Sequence, residues 1–156
     1  MNAGEAIFDL ARAGGARSVF VVGIGKNVGK TVTVRAVYEA ACARGLRVGI
    51  ASVGRDGEAV DSGDAMAKPR LFLHPGTAFA TARGALSDSP AVELFDLSQL
   101  QSAAGPLLYA RVVQGAYYEL IGPPTASGVS QVVDTLGASC ETIVIDGAID
   151  RVAALA

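Results

Sequence analysis

The sequence predicts an α/β fold with a mainly parallel sheet, on three observations. Apolar runs of strand length, such as 18–22 and 142–145, alternate with segments of helical spacing, such as 32–44 and 127–136. The first run passes through a glycine-rich turn, GIGKNVGKT at 23–31, straight into a helix-like segment. The last run delivers a carboxylate, Asp146. Strand, helix and strand over such lengths make a βαβ unit, with parallel strands and a ligand at their carboxyl ends.

Composition bounds the reading. The 156 residues suffice for one domain with a real core, taken as 1–156. Hydrophobic residues make up 51% and charged residues 18%, which excludes a long disordered chain. A net charge of −2 gives no basis for broad affinity to nucleic acid or to an anionic membrane. No apolar run approaches the ~20 residues that a membrane helix needs. The first fifteen residues carry acids and lack the apolar core of a targeting peptide. Cys42 and Cys140 make neither a zinc spacing nor a disulfide framework and read as small buried residues. A cytoplasmic protein is the expectation.

The turn at 23–31 carries the chemistry. Glycines let several backbone N–H groups point at one anion, and the following helix start adds unpaired donors and a positive dipole end. Together with the preceding strand, this is the arrangement of a P-loop nucleotide-binding fold, with ATP and Mg²⁺ as its ligands. Gly25, Lys26, Asn27, Val28, Gly29, Lys30, Thr31 and Val32 are the expected nucleotide-binding residues. Lys30 would reach the terminal phosphates, and the Thr31 hydroxyl would hold Mg²⁺. The standard spacing asks for glycine where Ile24 stands; the loop fits when lengthened by one residue from Gly23. That longer spacing resembles dethiobiotin synthetases and their relatives. Lys26 is one place away from the second lysine of the partition ATPases and is read only as a loop residue.

In chain order, 3–12 has a helical spacing, with Ile7, Phe8 and Leu10 expected to pack on the sheet, and Gly14-Gly15 ends it. The helix from Lys30 stops at Gly45, and 46–52 reads as the second strand. This strand runs into Arg55, Asp56 and Glu58, with Asp61 and Asp64 following. Asp56 and Glu58 are the candidate catalytic carboxylates beside Lys30, and Asp56 is also a candidate metal ligand; Arg55 would offset phosphate charge. A short strand is expected at 70–73, and His74 at its end reads as structural rather than substrate-facing. Residues 78–86 have helical composition. Apolar runs at 92–97, 107–113 and 117–121 make the middle of the chain a strand-rich elaboration, with a hairpin expected across Gln114-Gly115-Ala116. Tyr109, Tyr117 and Tyr118 read as packing residues. The helix at 127–136, closed by Gly137, buries Val129, Val132, Val133 and Leu136. In the final strand four apolar or β-branched residues precede Asp146, the Walker B pattern, and Asp146 joins Thr31 and Asp56 as a metal candidate. The later strands that commonly hold the base are absent from these 156 residues. Either the base is held weakly or by a partner, or the chain is an N-terminal piece of a longer one.

The segments GKNVGKT, SVGRDGE, KPRLFLHPGT, ATA, Gly105-Pro106 leading to ARV, GAYYELIGP and IDGAIDR resemble, in this order, the P-loop subunit of lysine 5,6-aminomutase reactivase. Reactivating factors of ornithine aminomutase belong to the same group. The resemblance runs from about residue 20 to residue 151, and the later segments are more specific than GKNVGKT. It implies a subunit that binds and hydrolyses ATP with Mg²⁺ to release damaged cobalamin from an adenosylcobalamin-dependent aminomutase. Its implied partners are that aminomutase and a companion subunit similar to MutS; homodimerisation is left open. No cobalamin-binding DxHxxG segment or pyridoxal lysine context is present in this sequence, so the aminomutase would carry those cofactors. Two other readings stay open: an ATP-dependent small-molecule ligase similar to dethiobiotin synthetase, and a nucleotide-binding regulatory module without turnover.

Overall fold

A computed structural model describes residues 1–24, 28–54, 70–87 and 90–147. Among these are three α-helices, a six-stranded, mostly parallel sheet and a two-stranded ribbon. The strands are β1 (Ser18–Val22), β2 (Val48–Ser52), β3 (Leu71–Leu73), β4 (Ala78–Ala82), β5 (Val92–Ser102), β6 (Gly105–Val112), β7 (Ala116–Tyr118) and β8 (Thr142–Gly147). The helices are α1 (Ala3–Ala13), α2 (Lys30–Ala43) and α3 (Ala126–Gly137).

The sheet order is β1-β8-β2-β4-β6-β5. The first four run parallel, and β6 and β5 are antiparallel additions. Thus β1 and β2 are parallel, but the last strand lies between them. The inner strands β2, β4 and β8 are buried almost throughout, which explains their unbroken apolar runs. Alternation assigns their faces. Val144, Ile50 and Phe79 point toward the core that contains α2, whereas Ile143, Ile145, Ala51, Ala78 and Ala80 meet the core of α3.

α1 starts at a capping box: Asn2 Oδ1 accepts from the Glu5 N–H at 2.9 Å, and Glu5 Oε2 accepts from the Asn2 N–H at 2.7 Å. Such a cap stabilises a helix by about 1 kcal/mol. α1 packs mainly on α2, not directly on the sheet. Phe8 alone of the three expected packing residues is fully buried; Ile7 is 40% and Leu10 77% exposed. α3 is capped by Thr125 and buries Val129, Val132 and Leu136, with Val133 half-buried.

Three expectations about the middle of the chain are corrected. Residues 78–82 form a strand, and only 83–86 coil, as a single 3₁₀ turn. Alanine favours helices locally, but Ala78, Ala80 and Ala82 are completely buried between β2 and β6, and burial on both faces outweighs propensity. The hairpin is β5–β6, turning through Ala103-Ala104 into Gly105 at φ 101°, not across Gln114-Gly115-Ala116. β7 pairs instead with β3, Phe72 opposite Tyr117. Tyr109 and Tyr118 are buried as expected, while Tyr117 is 61% exposed.

One close approach fixes the exit of β2. Gly54, at φ 63°, donates its N–H to Pro123 O and accepts from the Gly122 N–H. A Cβ on Gly122 would collide with the Ser52 carbonyl oxygen. Gly122→Ala is therefore expected to destabilise the fold by about 3 kcal/mol, an overpacking cost against backbone that cannot yield. Urea denaturation checks this, and an unchanged midpoint would contradict the contact.

Candidate functional site

Strand alternation and one helix start assemble the site. Val144 faces α2, so Asp146, two residues on, shares that face at the carboxyl end of β8. In register, Asp146 lies between Val21 of β1 and Ser52 of β2. α2 begins at Lys30 on the other side of the turn that leaves β1. Lys30 Nζ reaches Asp146 Oδ1 at 2.8 Å, with the two side chains 17% and 23% exposed. Removal from water strengthens the attraction within the pair and at the same time raises the cost of desolvating both charges.

The start of α2 carries neither a side-chain cap nor an acid. Gly29 is the N-cap at φ 83°, a left-handed conformation that favours glycine, and no side chain caps the helix. No acidic residue occupies its first turn. The Thr33 N–H and hydroxyl both donate to Gly29 O, so Thr33 serves the turn itself. Gly23 leaves room for the loop to fold back: a Cβ there would lie 3.2 Å from Val28 Cγ2 and 3.4 Å from Lys30 Cβ. Thr31 is half-buried, whereas Val28 and Val32 are 49% and 64% exposed.

Of the expected nucleotide-binding residues, Val28, Gly29, Lys30, Thr31 and Val32 are described, and Gly25, Lys26 and Asn27 lie outside the described residues. Arg55, Asp56, Glu58, Asp61 and Asp64 also lie outside them, so Lys30, Thr31 and Asp146 are the expected catalytic and metal residues with a described position. The Val53 N–H donates to Asp146 O at 2.8 Å, which ties the exit of β2 to the end of β8. The chain therefore leaves toward Arg55 from a point one strand away from Asp146. Sequence reasoning did not single out the Gly122–Pro123 contact as part of this corner. Its signal is the Gly-Pro-Pro run after an apolar segment.

Among the described residues, no group of three His, Cys, Asp or Glu side chains is positioned to hold a metal. The Thr31 hydroxyl and Asp146 carboxylate are hard oxygen donors of the kind that bind Mg²⁺ together with water and phosphate. By donor type the two residues suit Mg²⁺, and alone they do not amount to a self-sufficient metal cage.

His74 belongs to a different part of the molecule. Its Nε2 lies 2.8 Å from Glu39 Oε2, and its ring stacks on Tyr38 with centroids 5.9 Å apart. The Tyr38 hydroxyl lies 2.7 Å from Thr77 Oγ1 and accepts from the His74 N–H. Burial pushes the Tyr38 phenol far above its ordinary range. A cavity of about 530 Å³ lies here, lined by Glu39, Cys42, Arg47, His74 and Thr77 among others. Glu39 and Cys42 sit on the last turns of α2, Arg47 and Thr77 just before β2 and β4, and His74 just after β3; by the rise of the helix, Glu39 and Cys42 lie about 14 and about 18 Å from Lys30. Burial also pushes the Cys42 and Cys140 thiols up, which keeps them protonated near neutrality.

No family model, curated protein or solved structure matches the chain. No helix among the described residues is long and apolar enough to cross a membrane.

The Lys30–Asp146 pair has a measurable signature without ligand. A double-mutant cycle of Lys30→Met and Asp146→Asn, followed by urea denaturation, is expected to give a coupling energy of about 1 kcal/mol. A coupling near zero would mean that the two side chains are not paired in solution.

Proposed function

We propose that this chain is a P-loop, Mg²⁺-dependent ATPase that helps to reactivate an adenosylcobalamin-dependent aminomutase. The observation that carries the ATPase part is the meeting of Lys30 and Asp146 at 2.8 Å, where an uncapped helix start faces the end of a buried parallel strand. A lysine and an aspartate delivered from these two elements are the side chains that phosphate and its metal require. The aminomutase part rests on the ordered resemblance of the segments from GKNVGKT to IDGAIDR.

In this reading each residue of the chain has a separate task. The backbone N–H groups at the start of α2 receive phosphate oxygens. Lys30 turns from Asp146 to the terminal phosphates and neutralises charge there. Asp146 and the Thr31 hydroxyl hold Mg²⁺, which when bound draws charge from the phosphoryl oxygens. Asp56 and Glu58 are the proposed groups that orient the attacking water. Segment 53–64 would answer to the state of the nucleotide and pass it to the partners, an aminomutase and a MutS-like companion.

The test is ATP hydrolysis with Mg²⁺ by this chain, alone and with inactivated aminomutase and companion subunit. Turnover that rises with those partners, together with regained mutase activity, is expected. Lys30→Ala should lower ATP affinity about 100-fold, the loss of a charge-assisted contact. Turnover that ignores the partners, or that requires a small carboxylate or amine substrate, would overturn the aminomutase part. ATP affinity unaltered by Lys30→Ala would overturn the whole reading.

A further inference from the structure

We propose that Asp146 makes the site selective for metal-loaded nucleotide by holding Lys30 while no cation is present. This deepens the ATPase reading and rests on it. Lys30 Nζ lies 2.8 Å from Asp146 Oδ1, and neither side chain is more than a quarter exposed. The cation that a phosphate needs is therefore already neutralised by a carboxylate. A bare polyanion can draw Lys30 away only by breaking this pair and bringing added negative charge next to a carboxylate largely shielded from water. Both the lost pair and the like-charge contact oppose that exchange.

A nucleotide arriving with a divalent cation meets a different balance. The Asp146 carboxylate then has a positive partner, and Lys30 is released to the phosphates at the same moment. Fixed partners favour this coupling. Asp146 is anchored by its neighbours in β8 and by the Val53 N–H on its carbonyl, and Lys30 sits on the first turn of α2. Asp146 thus has two tasks of opposite sign: it attracts metal-loaded nucleotide and disfavours the metal-free form. A residue that served as metal ligand alone would have only the first.

The experiment compares ATP affinity by titration calorimetry in Mg²⁺ and in EDTA, for the wild-type chain and for Asp146→Asn. The expected result is that Asp146→Asn binds metal-free ATP about tenfold more tightly than wild type, while its affinity for Mg-ATP falls. Asp146→Ser, which also removes the charge, is expected to behave alike and serves if the amide variant does not fold; circular dichroism monitors both. Lys30→Gln should bind metal-free ATP no better than wild type. If wild type binds Mg-ATP through Lys30 and neither Asp146 variant gains metal-free affinity, this inference alone is overturned. If wild type binds ATP in neither condition, the ATPase reading falls and the inference with it.

Discussion

The ion pair between Lys30 and Asp146 depends on most of the parallel half of the molecule. Asp146 stands where it does because β8 lies between β1 and β2 and alternates strictly between two cores. Lys30 reaches it because Gly29 takes a left-handed turn and α2 starts at Lys30, within side-chain reach of the end of β8. Shifting β8 by one residue would send Asp146 to the α3 face and place Ile145 opposite the lysine. The pair is thus a sensitive marker of register, and it puts one positive and one negative group within reach of a single small ligand.

The rest of the chain holds this corner in place. α2 is fixed along its length by Val34, Val37 and Tyr38, all essentially buried, and Phe8 of α1 closes over it. Burying a phenylalanine contributes about 2 kcal/mol, and the Asp9–Arg44 ion pair and the close approach of Gly4 to Ala36 add further contacts between α1 and α2. At the far end the Tyr38 hydroxyl joins α2 to the start of β4, so the helix is anchored away from Lys30 as well as beside it. The antiparallel half is further away, but its connection returns through Gly122 and Pro123 to hold Gly54. Such an anchor gives segment 53–64 a fixed starting point beside the nucleotide in the proposed function.

Much of the parallel core was legible because its signals are local or periodic. β1 and α2 are read from an apolar run, a glycine turn and a helical spacing, and β8 from four apolar or β-branched residues before Asp146. The adjacency of β8 to β1 was not legible, since strand order is set by packing and not by any one segment. Residues 78–82 were misread for a related reason: small alanines fit both a helix and the tight space under α3, and only the burial decides. The β5–β6 turn was missed because its single strong cue, Gly105, follows two alanines and not a familiar turn pair. The expected packing of Ile7 and Leu10 on the sheet fails because an amphipathic helix can pack on another helix, which covers Phe8 and leaves Leu10 in solvent.

A crystal structure of the chain with Mg²⁺ and a non-hydrolysable ATP analogue tests the central claim most directly. The account predicts phosphate oxygens at the N-terminus of α2, Lys30 Nζ on the terminal phosphate instead of Asp146, and Asp146 beside the metal. An analogue bound elsewhere, for example in the cavity near His74, or a Lys30 still paired with Asp146 beneath a bound phosphate, would contradict it.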